Sequence, residues 1–252
     1  MNDRSLYSDA QRYDLAIGVY ASRDQLNFYR RQVTRYGEPV LELACGSGRL
    51  TIPLTNENVN IRGMDISEDM LHLAKLKAAK NGVNIRFLRG DIRNFDLGEK
   101  FIFIFIPAQS LSHLHTRAEI EDCFACVRRH LADEGRFLIE LFNPSVTMLA
   151  RKSGRRYPVG QYNDSTDGTQ VYVTEEVNYD TASQVNHIQW FFRNEGSHDE
   201  VVLSLKMRQF FPQEMDALLW YNDFLIEHKY GNYDEEEFSS DVPKQLIICW
   251  AK

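Results

Sequence analysis

Val40-Leu-Glu-Leu-Ala-Cys-Gly-Ser-Gly-Arg-Leu50 sets a short apolar run against a turn built on two glycines, with a helix expected to open at about Arg49. The run is strand-length and apolar except for Glu42, the pattern of a strand covered on both faces. Gly46 and Gly48 let the backbone turn tightly and approach a ligand closely. A helix N-terminus there would add unpaired N–H groups and a partial positive charge. A tight strand-to-helix turn without a ligand is the plain alternative.

Outward from this stretch the alternation repeats. Residues 60–64, 84–88, 101–106 and 135–141 are further strand-length runs separated by amphipathic segments, which predicts a parallel sheet with helices on both faces. Phe101-Ile-Phe-Ile-Phe-Ile106 has no polar alternation and has to be covered on both sides. Ser67 reads as the N-cap of a helix, and Thr116-Arg-Ala-Glu119 as a capping box opening a helix through Leu131. From about 145 the pattern turns alternating and aromatic. Residues 170–178, 185–192 and 201–211 read as an inserted antiparallel meander. Pro212 at a helix N1 position starts a helix to about Asn222, and residues 224–230 and 246–250 read as closing strands. The expected division is a helical lid over residues 1–35, a core over 36–144 and 212–252, and the meander over 145–211.

Composition bounds the partners. The chain has 252 residues, 43% apolar and 26% charged, within the ordinary range for a globular protein. Its 29 Lys and Arg against 36 Asp and Glu give a formal charge of −7, which works against nucleic acid or an anionic membrane as partner and favours a small molecule. The start, MNDRSLYSDAQRYD, lacks the order of a signal peptide, and the longest apolar run, residues 101–108, is less than half a membrane span. A cytoplasmic location is expected; the oligomeric state, a homodimer among the possibilities, is not read from the sequence. Cys45, Cys123, Cys126 and Cys249 are too few and too scattered for a disulfide framework, as in a reducing compartment.

Two aspartates extend the glycine turn into a site. Asp65 ends the second run seventeen residues after Gly48, where a carboxylate can accept both ribose hydroxyls of a nucleoside. Asp91, in Gly90-Asp91-Ile92, ends the third, where it can accept from an adenine amino group while the next N–H meets a ring nitrogen. Either could be a plain helix N-cap. Three such features at successive strand ends on one sheet edge tell against coincidence. A dinucleotide site would want a third glycine where Thr51 stands, so NAD fits poorly.

These motifs resemble the class I S-adenosylmethionine-dependent methyltransferases. Val40 to Leu50 is similar to their first motif, Gly63-Met-Asp-Ile-Ser67 to their acidic strand end and Gly90-Asp-Ile92 to their adenine turn. Leu131-Ala-Asp-Glu-Gly-Arg-Phe-Leu-Ile139 resembles the turn into their fifth strand. The likeness spans about residues 36–144 and, more loosely, the strands after 212. It implies an α/β fold: a Rossmann-like, doubly wound, seven-stranded and mostly parallel sheet with an antiparallel last strand. S-adenosylmethionine would bind between strands one and four and leave as S-adenosylhomocysteine. The cofactor residues it implies are Tyr13, Glu42, Ala44, Gly46, Gly48, Arg49, Asp65, Ile66, Met70, Asp91, Ile92 and Pro107.

Within the family, the meander, Ser-x-His-Leu at residues 110–114 and the leading Tyr13-Asp14 look most like small-molecule N-methyltransferases of the sugar-amine type and, more distantly, glycine N-methyltransferase. The chain departs from the family at Lys100-Phe101, where an acidic residue is common. Ile106-Pro-Ala-Gln109 lacks both the Asn/Asp-Pro-Pro-aromatic tetrad of nucleic-acid amino methyltransferases and the aspartate of metal-dependent catechol-type enzymes. No metal is expected. His113 would orient the acceptor or take its proton, a loop-ordering histidine being the alternative. Tyr20, Asn143, Trp190 and Arg208 complete the acceptor set, with strand packing the alternative for Trp190 and solvent for Arg208. Tyr13 or Tyr20 on a lid would exclude water and favour the sulfonium charge, or simply pack on the sheet. Cys123-Phe-Ala-Cys126 is a poor zinc signature beside the reading as core cysteines. The reading is methyl transfer to a small soluble acceptor, at nitrogen rather than oxygen. O-methylation of a small hydroxylated metabolite, a nucleotide-dependent oxidoreductase and a non-catalytic cofactor-binding module compete with it.

Overall fold

A seven-stranded sheet carries the larger of two units in the computed structural model, Ser22–Asn143 with Phe210–Lys252. The residues described are 5–18, 23–164 and 167–252. Helices are numbered from α1 (Ala10–Gly18) and α2 (Arg23–Tyr36). The sheet is built from β1 (Val40–Leu43), β2 (Ile61–Asp65), β3 (Arg86–Arg89), β4 (Phe101–Ile106) and β5 (Leu131–Phe142), with α3 (Thr51–Asn56), α4 (Glu68–Lys80) and α5 (Arg117–His130) between strands. In space the parallel strands run β3-β2-β1-β4-β5. The last strand of the chain lies antiparallel beside β5, with Leu246 opposite Glu140.

The β4 sequence explains the layering. Ile104 and Ile106 face one side, where Ile120, Phe124 and Val127 of α5 cover them together with Phe137 and Ile139. Phe103 and Phe105 face the other, against Phe28, Tyr29 and Val33 of α2 and Leu54 of α3. Each such buried side chain contributes about 1.5–3 kcal/mol, so a strand apolar on both faces pins helices to both. The Thr116 hydroxyl accepts from the Glu119 N–H, and the Glu119 carboxylate accepts from the Thr116 N–H at 2.9 Å, closing the expected capping box. Ser67 caps α4 through the Met70 N–H.

The smaller unit, Met1–Ala21 with Pro144–Gln209, holds a four-stranded antiparallel meander. After the short α6 (Val146–Leu149) come β6 (Tyr157–Asn163), β7 (Gln170–Asp180), β8 (Val185–Asn194) and β9 (Glu200–Arg208). Leu6 and Ala16 pack with Val171, Trp190, Phe192 and Leu203 on one face of it. The larger unit closes with α7 (Pro212–Tyr221), β10 (Phe224–Tyr230) and β11 (Lys244–Ala251).

Four differences from the sequence reading have physical causes. β6 was not anticipated because Pro158 and Gly160 interrupt its alternation, and it is accordingly an edge strand with a register shift between those residues. β5 begins at Leu131 rather than Gly135, since Leu131 already pairs with Phe101 across a register shift. α3 opens at Thr51, not Arg49, because positive φ at Gly46 and Gly48 keeps the preceding turn unwound. Residues 1–35 divide, with α2 belonging to the larger unit, because Phe28, Tyr29 and Val33 are spent on the sheet.

Candidate active site

The parallel strands all end on one edge, and chain order reverses between β1 and β4, where open α/β sheets form a ligand crevice. After β1 the chain turns through Ala44 (φ 57°), Gly46 (φ 54°) and Gly48 (φ 78°). A Cβ on Gly48 would stand 2.9 Å from the Ile52 side chain, whereas one on Gly46 would meet nothing within 4 Å. Gly46 is therefore held by its dihedral, and its outer side is open. Its N–H does not point to a free ligand position as the sequence suggested, because it donates to Asp65 Oδ2 at 2.8 Å. The Ser67 N–H donates to Oδ1 at 2.8 Å.

Asp65 thus ties the glycine turn to the end of β2 while remaining 8% exposed. Burial raises its pKa against the opposing pull of the Ser67, Gly46 and Ile66 N–H groups. A carboxylate offers about four acceptor positions, and two are taken. The remainder suit a pair of hydroxyls. Ile66, 60% exposed beside it, offers an apolar face of the kind a purine ring covers. Glu42, buried under the turn, accepts from the Thr51 hydroxyl, and burial pushes its pKa up to about 7. Met70 is buried in the first turn of α4.

Asp91 follows β3 and is half-buried, but its carboxylate already accepts from Arg93, whose guanidinium reaches Oδ2 at 2.6 Å and Glu119 at 2.6 Å. That hydrogen bond is the main reason its pKa is lowered. Ile92 is half-buried and packs on the core. Past β4, Pro107 is buried and the chain takes two successive left-handed residues, Ala108 (φ 51°) and Gln109 (φ 66°). The Gln109 amide oxygen accepts from the Phe142 N–H at 2.7 Å. This turn leads into a 3-10 segment, Ser110–His113, that places His113 half-buried just beyond the end of β4. Asn143 is half-buried, and its side-chain amide donates to the Val242 carbonyl at 3.0 Å.

A buried polar cluster was not foreseen. Glu140 on β5, 1% exposed, accepts from Gln25 at 2.8 Å, Tyr29 at 2.9 Å, Tyr233 at 2.5 Å and Lys244 at 3.0 Å. Burial alone would raise its pKa, yet the Lys244 charge and the Tyr233 and Gln25 hydrogen bonds outweigh that and hold it low. Gln25 in turn accepts from Arg49 of the glycine turn. The available signal was one carboxylate inside the apolar run 137–141, since a charge is buried only when partnered.

The structure therefore brings Glu42, Ala44, Gly46, Gly48, Arg49, Asp65, Ile66, Asp91, Ile92, Pro107 and His113 to one edge of the sheet. Tyr13, Trp190 and Arg208 lie in the smaller unit. There Tyr13 is tilted against Tyr7 with ring centroids 5.1 Å apart. Trp190 is buried in the meander core and its indole N–H reaches Glu175 at 3.3 Å. Arg208 ends β9, half-buried. Tyr20 lies outside the described residues. Cys123 and Cys126 are buried in the core, and among the described residues no three His, Cys, Asp or Glu side chains are grouped to hold a metal ion.

Comparison with known proteins agrees with this geometry. Residues 40–135 match the methyltransferase domain family. YqeM of Bacillus subtilis, which carries a methyltransferase name, is 24% identical over 202 residues, 80% of this chain and 79% of that protein. A dTDP-3-amino-3,4,6-trideoxy-alpha-D-glucopyranose N,N-dimethyltransferase of Streptomyces venezuelae is 30% identical over 110 residues, 44% of this chain and 45% of that enzyme. A ubiquinone biosynthesis O-methyltransferase of Coxiella burnetii is 27% identical over 105 residues, 41% of this chain and 45% of that enzyme. The fold is shared with the CcbJ methyltransferase of Streptomyces caelestis, at a TM-score of 0.80 and 22% identity over 92% of this chain and 97% of that one. It is also shared with an S-adenosylmethionine-dependent methyltransferase of Clostridium acetobutylicum, at 0.78 and 20% over 97% and 98%.

Proposed function

We propose that this chain, an S-adenosylmethionine-dependent methyltransferase by its domain and its fold, methylates an amine nitrogen of a small soluble molecule. The observation that carries the reading is the turn after β4. From Pro107 to Leu114 it offers one titratable side chain, His113, and no carboxylate. An alcohol has to lose its proton as it attacks, which would make His113 an obligatory base there. A neutral amine already presents its lone pair. The likeness to an amino-sugar N,N-dimethyltransferase supports nitrogen.

The residues at the sheet edge suit the cofactor. Asp65 has two acceptor positions left for the ribose hydroxyls, Ile66 an exposed face for the adenine, and the outer side of Gly46 is open. S-adenosylmethionine supplies a methyl group made electrophilic by its sulfonium. Glu42 lies below the same turn, where an ionised carboxylate would favour the ammonium of the amino-acid part. Both oxygens of Asp91 accept from Arg93, so taking the amino group of the base there would require Arg93 to give up one of these contacts, while the Ile92 N–H lies beside it. His113 would accept a hydrogen bond from the acceptor or take the proton that an alkylated amine must release.

O-methylation is the second reading, favoured by the likeness to a ubiquinone biosynthesis O-methyltransferase. The deciding experiment is transfer of labelled methyl from S-adenosylmethionine into matched sets of amines, amino sugars and their hydroxyl analogues. Label confined to the amines is expected, and label confined to the hydroxyl compounds would replace nitrogen by oxygen.

A further inference from the structure

Gln109 is the second of two successive left-handed residues, after Ala108, on the turn that leaves β4. A left-handed backbone costs free energy in any residue with a Cβ, and it persists where the surroundings fix it. Here the end of β5 does so. The Gln109 N–H donates to the Glu140 carbonyl at 3.2 Å, and the Gln109 amide oxygen accepts from the Phe142 N–H at 2.7 Å. One residue thus grips β5 at two points beyond Ile106 and Ile139, the last pair of the β4–β5 ladder. The other half of the side chain gains nothing: Gln109 is 8% exposed, and its Nε2 is buried with no hydrogen-bond partner among the described residues. A buried donor left unpaired is unfavourable, so the bond to Phe142 is what a glutamine supplies at this place. The Gln109 carbonyl in turn accepts from the Ser112 N–H at 2.9 Å, inside the 3-10 segment that ends at His113. The residue tied to β5 therefore also opens the segment that carries His113.

We propose that Gln109 is a positioning residue for methyl transfer: by tying the turn after β4 to the end of β5, it fixes where His113 meets the acceptor. The inference rests on His113 acting at the acceptor and adds what holds it there. Two substitutions separate the tether from the fold of the turn. Asparagine is at home in the left-handed region, so Gln109→Asn suits the backbone but is one methylene too short to keep the bond to Phe142. Gln109→Met keeps the length and replaces the amide by a thioether, a weak acceptor.

The test has a spectroscopic arm and a kinetic arm. With ¹³C-labelled histidine, carbon–proton correlation spectra identify the His113 signal by its disappearance in His113→Ala. In both Gln109 variants that signal should shift or broaden while those of the six other histidines stay in place. With an amine or hydroxyl compound to which the parent transfers labelled methyl, kcat should fall about ten-fold, the size of a lost orienting hydrogen bond, with KM for S-adenosylmethionine within two-fold of the parent. Adding Gln109→Asn to His113→Ala should lower kcat by less than about two-fold further, because a residue that acts through another is not additive with it. A full ten-fold further loss in that double variant would take Gln109 off the path through His113 and overturn the proposal. A folded Gln109→Asn protein with the parental His113 signal would overturn it as well, and this arm stands even where Gln109→Met does not fold. A displaced His113 signal with parental kcat would instead overturn the role of His113 on which the inference rests.

Discussion

Replacing Asp65 by alanine should separate its two duties. In the structure one oxygen accepts from Gly46 and the other from Ser67, both at 2.8 Å, and two acceptor positions remain for the ribose. Loss of the carboxylate removes the charge-assisted contacts to the hydroxyls, each worth about 1.5–3 kcal/mol, or roughly ten- to a hundred-fold in affinity. It also leaves two part-buried N–H groups without their acceptor, so unfolding should be easier by about 1–3 kcal/mol. Asp65→Asn keeps one carbonyl oxygen and should fall between the parent and Asp65→Ala on both measures. The assay is calorimetric titration with S-adenosylhomocysteine and with methylthioadenosine, alongside urea denaturation. Both ligands carry the ribose, methylthioadenosine lacking only the amino-acid part, so both should weaken together. A folded Asp65→Ala protein with parental affinity for either ligand would refute the reasoning, because the ribose would then be held elsewhere.

Three further outcomes follow from the same edge of the sheet. Burial lifts Glu42 from an ordinary value of 4.5 to about 7. Its contribution to stability is therefore present below pH 4.5 and is lost as pH rises through 7, about 3 kcal/mol in all. Glu42→Gln should remove that part of the slope, read from urea midpoints at pH 5 and pH 8, and an identical slope in both proteins would mean Glu42 is ionised throughout. Turnover should survive exhaustive chelation, because Ile106-Pro107-Ala108 supplies no carboxylate at the end of β4; recovery only on adding Mg²⁺ or Zn²⁺ would reveal a missed site. His113→Ala should lower kcat by about 10²- to 10⁴-fold if His113 moves a proton, or about ten-fold if it only orients the acceptor, with S-adenosylhomocysteine affinity nearly unchanged. A fall under two-fold in both His113→Ala and His113→Asn would make it a structural loop residue.

The parts of the fold that were legible were those carried by local chemistry. Phe101–Ile106 could be nothing but a strand covered on both faces, and Thr116 with Glu119, and Ser67, announced their helices. β6 was hidden because an edge strand tolerates Pro158 and Gly160, and its pairing with β7 depends on tertiary context. At the site, Gly46, Gly48 and Asp65 were readable from spacing, whereas the bond between the Gly46 N–H and Asp65 was not. Arg93, two residues from Asp91, is engaged with that carboxylate through a turn geometry that spacing alone did not disclose. The Glu140 cluster lay furthest from view. Its partners come from α2, β11 and the segment between β10 and β11, so only long-range folding assembles Gln25, Tyr29, Tyr233 and Lys244 around one carboxylate.

The central claim is that the methyl group goes to nitrogen, and an acceptor carrying a free amine and a vicinal hydroxyl puts the two in direct competition. With an amino sugar of this kind that the enzyme turns over, and with S-adenosylmethionine labelled with ¹³C in its methyl group, carbon–proton correlation spectra of the product locate the new methyl. The account expects the label on nitrogen, one methyl at a time, with the hydroxyl untouched. Label on the oxygen while the amine stays free would contradict it.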